Sequence, residues 1–144
     1  MRSWRIVSLV PALLLVLSCL PARAQDGGGT APASTVERFL RLAAEKNYVQ
    51  MGHVFGTRDG PIIQRDPAAQ VQRRMFAIAS ILENQRFVIR DEQPIPGRIG
   101  EAVQLTVQVT QRGHPRDVPF VVVKDGHNRW YVEQVDLEKL TRVD

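Results

Sequence analysis

Three histidines, one cysteine and fifteen scattered carboxylates are the residues through which this 144-residue chain could do chemistry, and their spacing excludes more than it offers. His53, His114 and His127 stand far apart, no HExxH or closely spaced His/Asp pair occurs, and the sole cysteine, Cys19, lies near the N-terminus. Zinc takes compact sets of thiolate, imidazole and carboxylate ligands, and no such spacing is present. A Gly-x-Ser-x-Gly elbow, a P-loop and a dinucleotide fingerprint are also missing, and the glycine run Gly27 to Gly29 follows no strand pattern. No cofactor and no metal are therefore expected. His114 and His127 sit beside glycine in turn-like sequence, where polar residues need no catalytic reason. His53 stands where an amphipathic segment ends, and a surface or satisfied end-of-helix imidazole is its ordinary reading.

The first 24 residues explain the charge. Met1 to Ala24 has basic Arg2 and Arg5, an apolar core from Ile6 to Leu20 and the small-residue motif Ala22-Arg23-Ala24, which together predict a secretory leader. The apolar core is shorter than the roughly 20 residues a spanning helix needs, so no transmembrane helix is expected. Val16-Leu17-Ser18-Cys19 partly matches a bacterial lipobox, which offers acylation at Cys19 as the alternative to cleavage after Ala24. Either route predicts an exported product, periplasmic or secreted in the first case and a membrane-anchored lipoprotein in the second. Removing Arg2, Arg5 and Arg23 leaves 19 − 3 = 16 basic against 15 acidic residues, a net of +1. A nearly neutral domain has no general attraction for phosphate backbones, and no nucleic-acid partner is expected.

The rest of the chain divides into a tether and one domain. Residues 25–33, rich in Gly, Ala and Pro, read as a flexible tether. From Ser34 to Asp144 the pattern predicts a single α+β domain. Ser34 three residues before Glu37 has capping-box spacing, and Val36, Phe39, Leu40 and Ala43 recur at helical spacing after it. Tyr48, Met51, Val54 and Phe55 continue a bent helical segment to Gly56, read as its cap. Gly56 to Asp66 reads as a loop in which Ile62-Ile63 is at most a short edge strand, and Asp66-Pro67 opens a helix whose buried stripe is Val71, Met75, Ile78, Ala79 and Leu82. The period then shortens. Phe87 to Ile89 reads as a strand, and Val103, Leu105, Val107 and Val109 alternate with Gln104, Thr106, Gln108 and Thr110. Val118 to Lys124 and Arg129 to Val135 form a hairpin about the turn Asp125 to Asn128, with Trp130 and Val132 on one face and Tyr131, Glu133 and Val135 on the other.

This order of elements resembles the nuclear transport factor two-like superfamily, also called SnoaL-like or ketosteroid-isomerase-like. The resemblance covers Ser34 to about Leu140 and rests on TVERFLRLAAEKNYVQMGHVFG, VQRRMFAIASIL and VPFVVVKDGHNRWYVEQVDL. It implies a cone-like curved antiparallel sheet packed against N-terminal helices, often with an apolar cavity at the open end. Tyr48, Phe55, Met75 and Trp130 are the side chains that would line such a cavity, and they are equally what a filled core would contain. Isomerase-like members use a carboxylate or imidazole in an apolar pocket beside a donor for the developing oxyanion. Tyr48 is the candidate donor here, and His53 or Asp66 the candidate base. One fold of this kind serves isomerases, dehydratases, cyclases and simple binding modules. The leader and the missing catalytic motif together predict an exported, non-catalytic domain that binds a small apolar ligand or a partner protein in the cell envelope. A pocket enzyme of the isomerase or dehydratase type is the alternative, and a homodimer through the outer sheet face is a further expectation that the polar set Gln104, Thr106 and Gln108 opposes.

Overall fold

The computed structural model describes residues 27–142. The leader, Cys19 and the first two tether residues lie outside the described residues, as does the chain after Arg142. Among the described residues no helix is long and apolar enough to cross a membrane.

Helix α1 (Pro32–Ala44) begins two residues before Ser34. Pro32 occupies the first turn, where a missing N–H is no loss. The Ser34 hydroxyl donates back to the Ala31 carbonyl at 3.0 Å, and no capping box forms. Asn47 caps helix α2 (Tyr48–Val54), its side chain accepting from the Gln50 N–H at 3.3 Å. Gly56 does not end that helix. Phe55 does, and Gly56–Thr57 (β1) turns to pair with Gly60–Pro61 (β2), backbone so close that a Cβ on Gly56 would stand 2.3 Å from the Gly60 oxygen. Ile62–Gln64 forms a single 3-10 turn in place of the edge strand expected at Ile62-Ile63. Helix α3 (Ala68–Leu82) follows, with Pro67 and not Asp66 in the N-cap position and no side-chain cap.

Four strands run as an antiparallel meander, β3 (Arg86–Pro94), β4 (Ala102–Gln111), β5 (His114–Lys124) and β6 (Trp130–Val135), each bonded to the next. The alternation in β4 sets the inner face: Leu105, Val107 and Val109 are fully buried beneath the helical stripes Val36, Phe39, Leu40 and Val71, Met75, Leu82. The result is an α+β fold in which the N-terminal helices cover one face of an open sheet. Beyond Asp136 the chain makes one further helical turn, α4 (Glu138–Thr141).

Two bulges interrupt the ladder. One lies between Ile89 and Asp91, beyond which β3 is a charged, exposed edge ending in Pro94, chemistry that discourages pairing with other chains. The other, between Val121 and Val122, shifts the register so that Val122 faces Val132 while Val121 faces Gln134. Val135 is thereby turned to the main core with Trp130 and Val132, and not to the face of Tyr131 where strict alternation puts it.

The opposite edge, along β6, corrects the tether expectation. Gly29 and Trp130 form an antiparallel bridge, the Gly28 N–H donates to the His53 carbonyl at 2.9 Å, and the Arg129 side chain donates to the Gly27 carbonyl at 2.6 and 3.1 Å. Arg38 of α1 donates to the Gly28 carbonyl at 3.3 Å. Two of the glycines are there for close approach. A Cβ on Gly29 would stand 2.0 Å from Thr35 Oγ1, and one on Gly28, at φ +60°, would stand 3.0 to 3.1 Å from Arg129, Trp130 and Tyr131. The ordered domain therefore includes residues 27–33, seven positions before Ser34.

Candidate functional site

The residues nominated for chemistry do not converge. Tyr48 opens α2 and His53 lies five positions later, a separation that turns their side chains roughly 140° apart around a helix. The Tyr48 ring meets Phe76 of α3 edge-on at 5.6 Å. His53 holds the glycine strap through its carbonyl, and its Nδ1 is buried without a partner, so it is not the satisfied imidazole expected at a helix end. Asp66 sits half-buried in the turn before α3, its N–H donating to the Ile62 carbonyl at 2.9 Å. Among the described residues no hydrogen bond or ion pair joins Tyr48, His53 and Asp66, and no group of three or more His, Cys, Asp or Glu is placed to hold a metal.

The four proposed cavity residues are also dispersed. Met75 is wholly buried, and Phe55, 4 % exposed, is packed between the Phe39 ring at 5.9 Å and the Arg74 guanidinium at 5.0 Å. Trp130 is half-buried against the core, with the Lys124 ammonium 5.6 Å from its ring. Of the four, Tyr48 alone lines one of two neighbouring concavities formed by the described residues.

Those two concavities meet at the C-terminal end of α3. The first, a groove of about 290 Å³, is walled by Ala43 and Ala44 at the end of α1, by Tyr48, and by Phe76, Ala79 and Leu82 of α3. Phe76 is 54 % exposed, a large aromatic off the buried stripe of its own helix. The second is an open cleft of about 750 Å³ between the end of α3, the β4–β5 turn and α4. Ser80, Glu83 and Asn84 line both, so one opens beside the other.

The cleft gathers several basic side chains, where the groove has Lys46 alone beside its aromatics. Arg112, His114, Arg116 and Arg142 line the cleft, against the single carboxylate of Glu83. Arg112 and Gly113 form a two-residue hairpin turn with φ of +49° and +80°, the mirror-image geometry that suits strand twist. Gln85 fixes that turn by accepting the Gly113 N–H at 2.9 Å. Arg116 donates to the carbonyls of Lys139 and Arg142 at 3.4 and 3.0 Å and thereby ties α4 to β5. At the end of α3 the carbonyls of Ile81 and Glu83 would otherwise give the cleft a negative rim. The Gln111 side-chain amide donates to both, at 2.7 and 2.6 Å, and satisfies them.

Away from this site, on the outer face, Ala102, Val123 and Tyr131 make a small second cluster with Ile95 against it. Burial, then the Asp125 carboxylate that accepts its hydroxyl at 3.3 Å, pushes the Tyr131 phenol above its ordinary range. Arg98 and Glu133 form a two-pronged ion pair at 2.9 and 3.0 Å, and this bond raises the Arg98 guanidinium further.

Neither Phe76 nor Arg112 is among the residues that sequence patterns nominate. Phe76 could be found as the aromatic that falls outside the Val71, Met75, Ala79 stripe, and Arg112 as the bulky residue in a turn position that Asn or Gly fills at less strain. No family model, no curated protein and no solved structure matches the chain.

Proposed function

We propose that this chain is an exported, non-catalytic member of the nuclear transport factor two-like superfamily that binds a small, largely apolar ligand in the cell envelope. The superfamily reading is supported by the order of elements: two helices, a short hairpin, a packing helix and a four-strand meander ending on the Trp130 strand. Export is supported by the composition of Met1 to Ala24. The observation that carries the binding role is the aromatic groove at the α1, α2 and α3 junction, where Phe76 stays half in water although its helix has a buried face available. A ligand seated there covers Phe76 and the edge of Tyr48 without disturbing the filled core beneath. Native mass spectrometry of protein isolated from its host tests this: a co-purified small molecule should be held by the wild type and lost in Phe76→Ala. Retention of the same mass by the variant would move the ligand elsewhere.

The buried, unpartnered Nδ1 of His53 favours a second reading, an isomerase or dehydratase in which His53 is the base. In that case His53→Gln abolishes turnover of a carbonyl substrate while leaving the groove ligand bound.

A further inference from the structure

We infer that the basic cleft completes the ligand site, and that the ligand is a small soluble amphiphile carrying an oxyanion head, phosphate or carboxylate, on a short apolar tail. The inference rests on the binding role proposed above and adds the identity of the other half of the ligand. Three observations point to it. The groove and the cleft share Ser80, Glu83 and Asn84, so the two lie side by side within the span of one small molecule. Beyond those shared residues their walls differ in emphasis: the groove has Tyr48, Phe76 and Leu82 with one cation, Lys46, whereas the cleft has Arg112, His114, Arg116 and Arg142 beside Ile81 and Leu140. Gln111 satisfies the carbonyls that the end of α3 would otherwise aim at the same space, which leaves the cationic side chains to set its sign.

The head is drawn to the cleft, because the groove offers it Lys46 alone while the cleft gathers several cations. Glu83 stands at the junction and repels an anion there, which drives the head toward the β4–β5 turn. Arg142 is already held by Glu138 at 3.2 Å, and Arg116 is engaged with the α4 carbonyls. Among the described residues no hydrogen bond or ion pair engages the side chain of Arg112 or of His114. A guanidinium presents a planar fork of donors that matches a phosphate or carboxylate in two bonds at once, and its cost of desolvation is lower than that of an ammonium. The concentration of three arginines and a histidine against one carboxylate is local, because the chain beyond its leader is close to neutral. A concave site with an apolar wall and a few convergent polar groups is the usual form of a small-molecule pocket. A flat basic face would suit a membrane surface better.

Calorimetric titration of the purified protein with hexyl phosphate, inorganic phosphate and 1-hexanol separates the two halves of the claim. Hexyl phosphate should bind at least about tenfold more tightly than either fragment, and R112Q/H114Q should remove about that factor for hexyl phosphate while leaving hexanol unchanged. Arg112 and His114 are exposed turn and strand-end residues, so the double variant should keep its thermal midpoint, which the same preparation reports. Hexyl phosphate binding no better than hexanol, or equally well to R112Q/H114Q, overturns the oxyanion assignment. The groove reading fails separately, if Phe76→Ala binds hexanol and hexyl phosphate as the wild type does. Co-sedimentation with phosphatidylglycerol vesicles that depends on Arg112, without binding of hexyl phosphate, overturns the soluble ligand in favour of a lipid headgroup.

Discussion

Gly29 and Trp130 exchange both of their backbone hydrogen bonds, the Gly29 N–H donating to the Trp130 carbonyl at 2.7 Å and the Trp130 N–H to the Gly29 carbonyl at 2.9 Å. The pairing covers the first residue of the β6 edge, and a Cβ at position 29 would collide with Thr35. Gly29→Ala should therefore destabilise the protein by about 1 to 3 kcal/mol, the usual range for an overpacked site. Gly126→Ala, in a turn where a Cβ meets nothing within 4 Å, should change stability by less than about 0.5 kcal/mol. Urea denaturation of the two variants beside the wild type decides it, and equal midpoints would mean that the strap does not contribute to the fold.

Met75 and Phe76 are neighbours in α3 with opposite roles. Met75→Ala empties a wholly buried site and should cost about 2 to 5 kcal/mol. Phe76→Ala removes a ring that is 54 % exposed and should cost less than about 1 kcal/mol while abolishing ligand retention. The same denaturation experiment, run with the ligand assay, separates a core residue from a binding residue. A large stability loss for Phe76→Ala would return the ring to the core.

Tyr131 should make the alkaline limb of stability its own. Burial and Asp125 hold the folded-state phenol above the ordinary value of about 10 at which the unfolded chain releases the proton. Deprotonation therefore favours the unfolded state, so the contribution is complete below about pH 10 and falls as the pH rises beyond it. Thermal midpoints between about pH 8 and 11 should drop more steeply for the wild type than for Tyr131→Phe. Parallel curves would count against the buried phenol.

The Arg98–Glu133 fork joins the β3–β4 loop to β6 across the outer face. Both side chains are partly in water, at 36 % and 26 % exposure, so a double-mutant cycle should give a coupling of only about 0.5 to 1 kcal/mol, shrinking as salt is added. A coupling that is insensitive to salt would mean that shape, not charge, makes the contact.

The fold was legible where a period repeats. Val103 to Val109 announces a half-buried strand, and Val71, Met75, Ala79 and Leu82 announce a helical face, because each pattern has a single geometry that hides it from water. Legibility ended where a side chain's fate depends on a distant partner. Composition reads Gly27 to Gly29 as freedom, and only the position of Thr35 and β6 shows that at Gly28 and Gly29 it is closeness. Alternation assigns Val135 to the outer face, and a bulge that leaves Glu133 without a partner opposite Val121 and Val122 of β5 reverses it. The candidate site was hidden for the same reason. The groove and cleft draw on the ends of α1 and α3, the β4–β5 turn and α4, elements that no local motif links.

The strap along β6 also limits how far the domain could stand from an attachment point. Gly27 is bonded in place, and from Cys19 to Gly27 the chain has 27 − 19 = 8 residues, which at full stretch span at most about 29 Å. Acylation at Cys19 would thus hold Gly27 within that distance of the lipid-bearing residue. Cleavage after Ala24 would release the domain and leave only Gln25 and Asp26 ahead of the clasp.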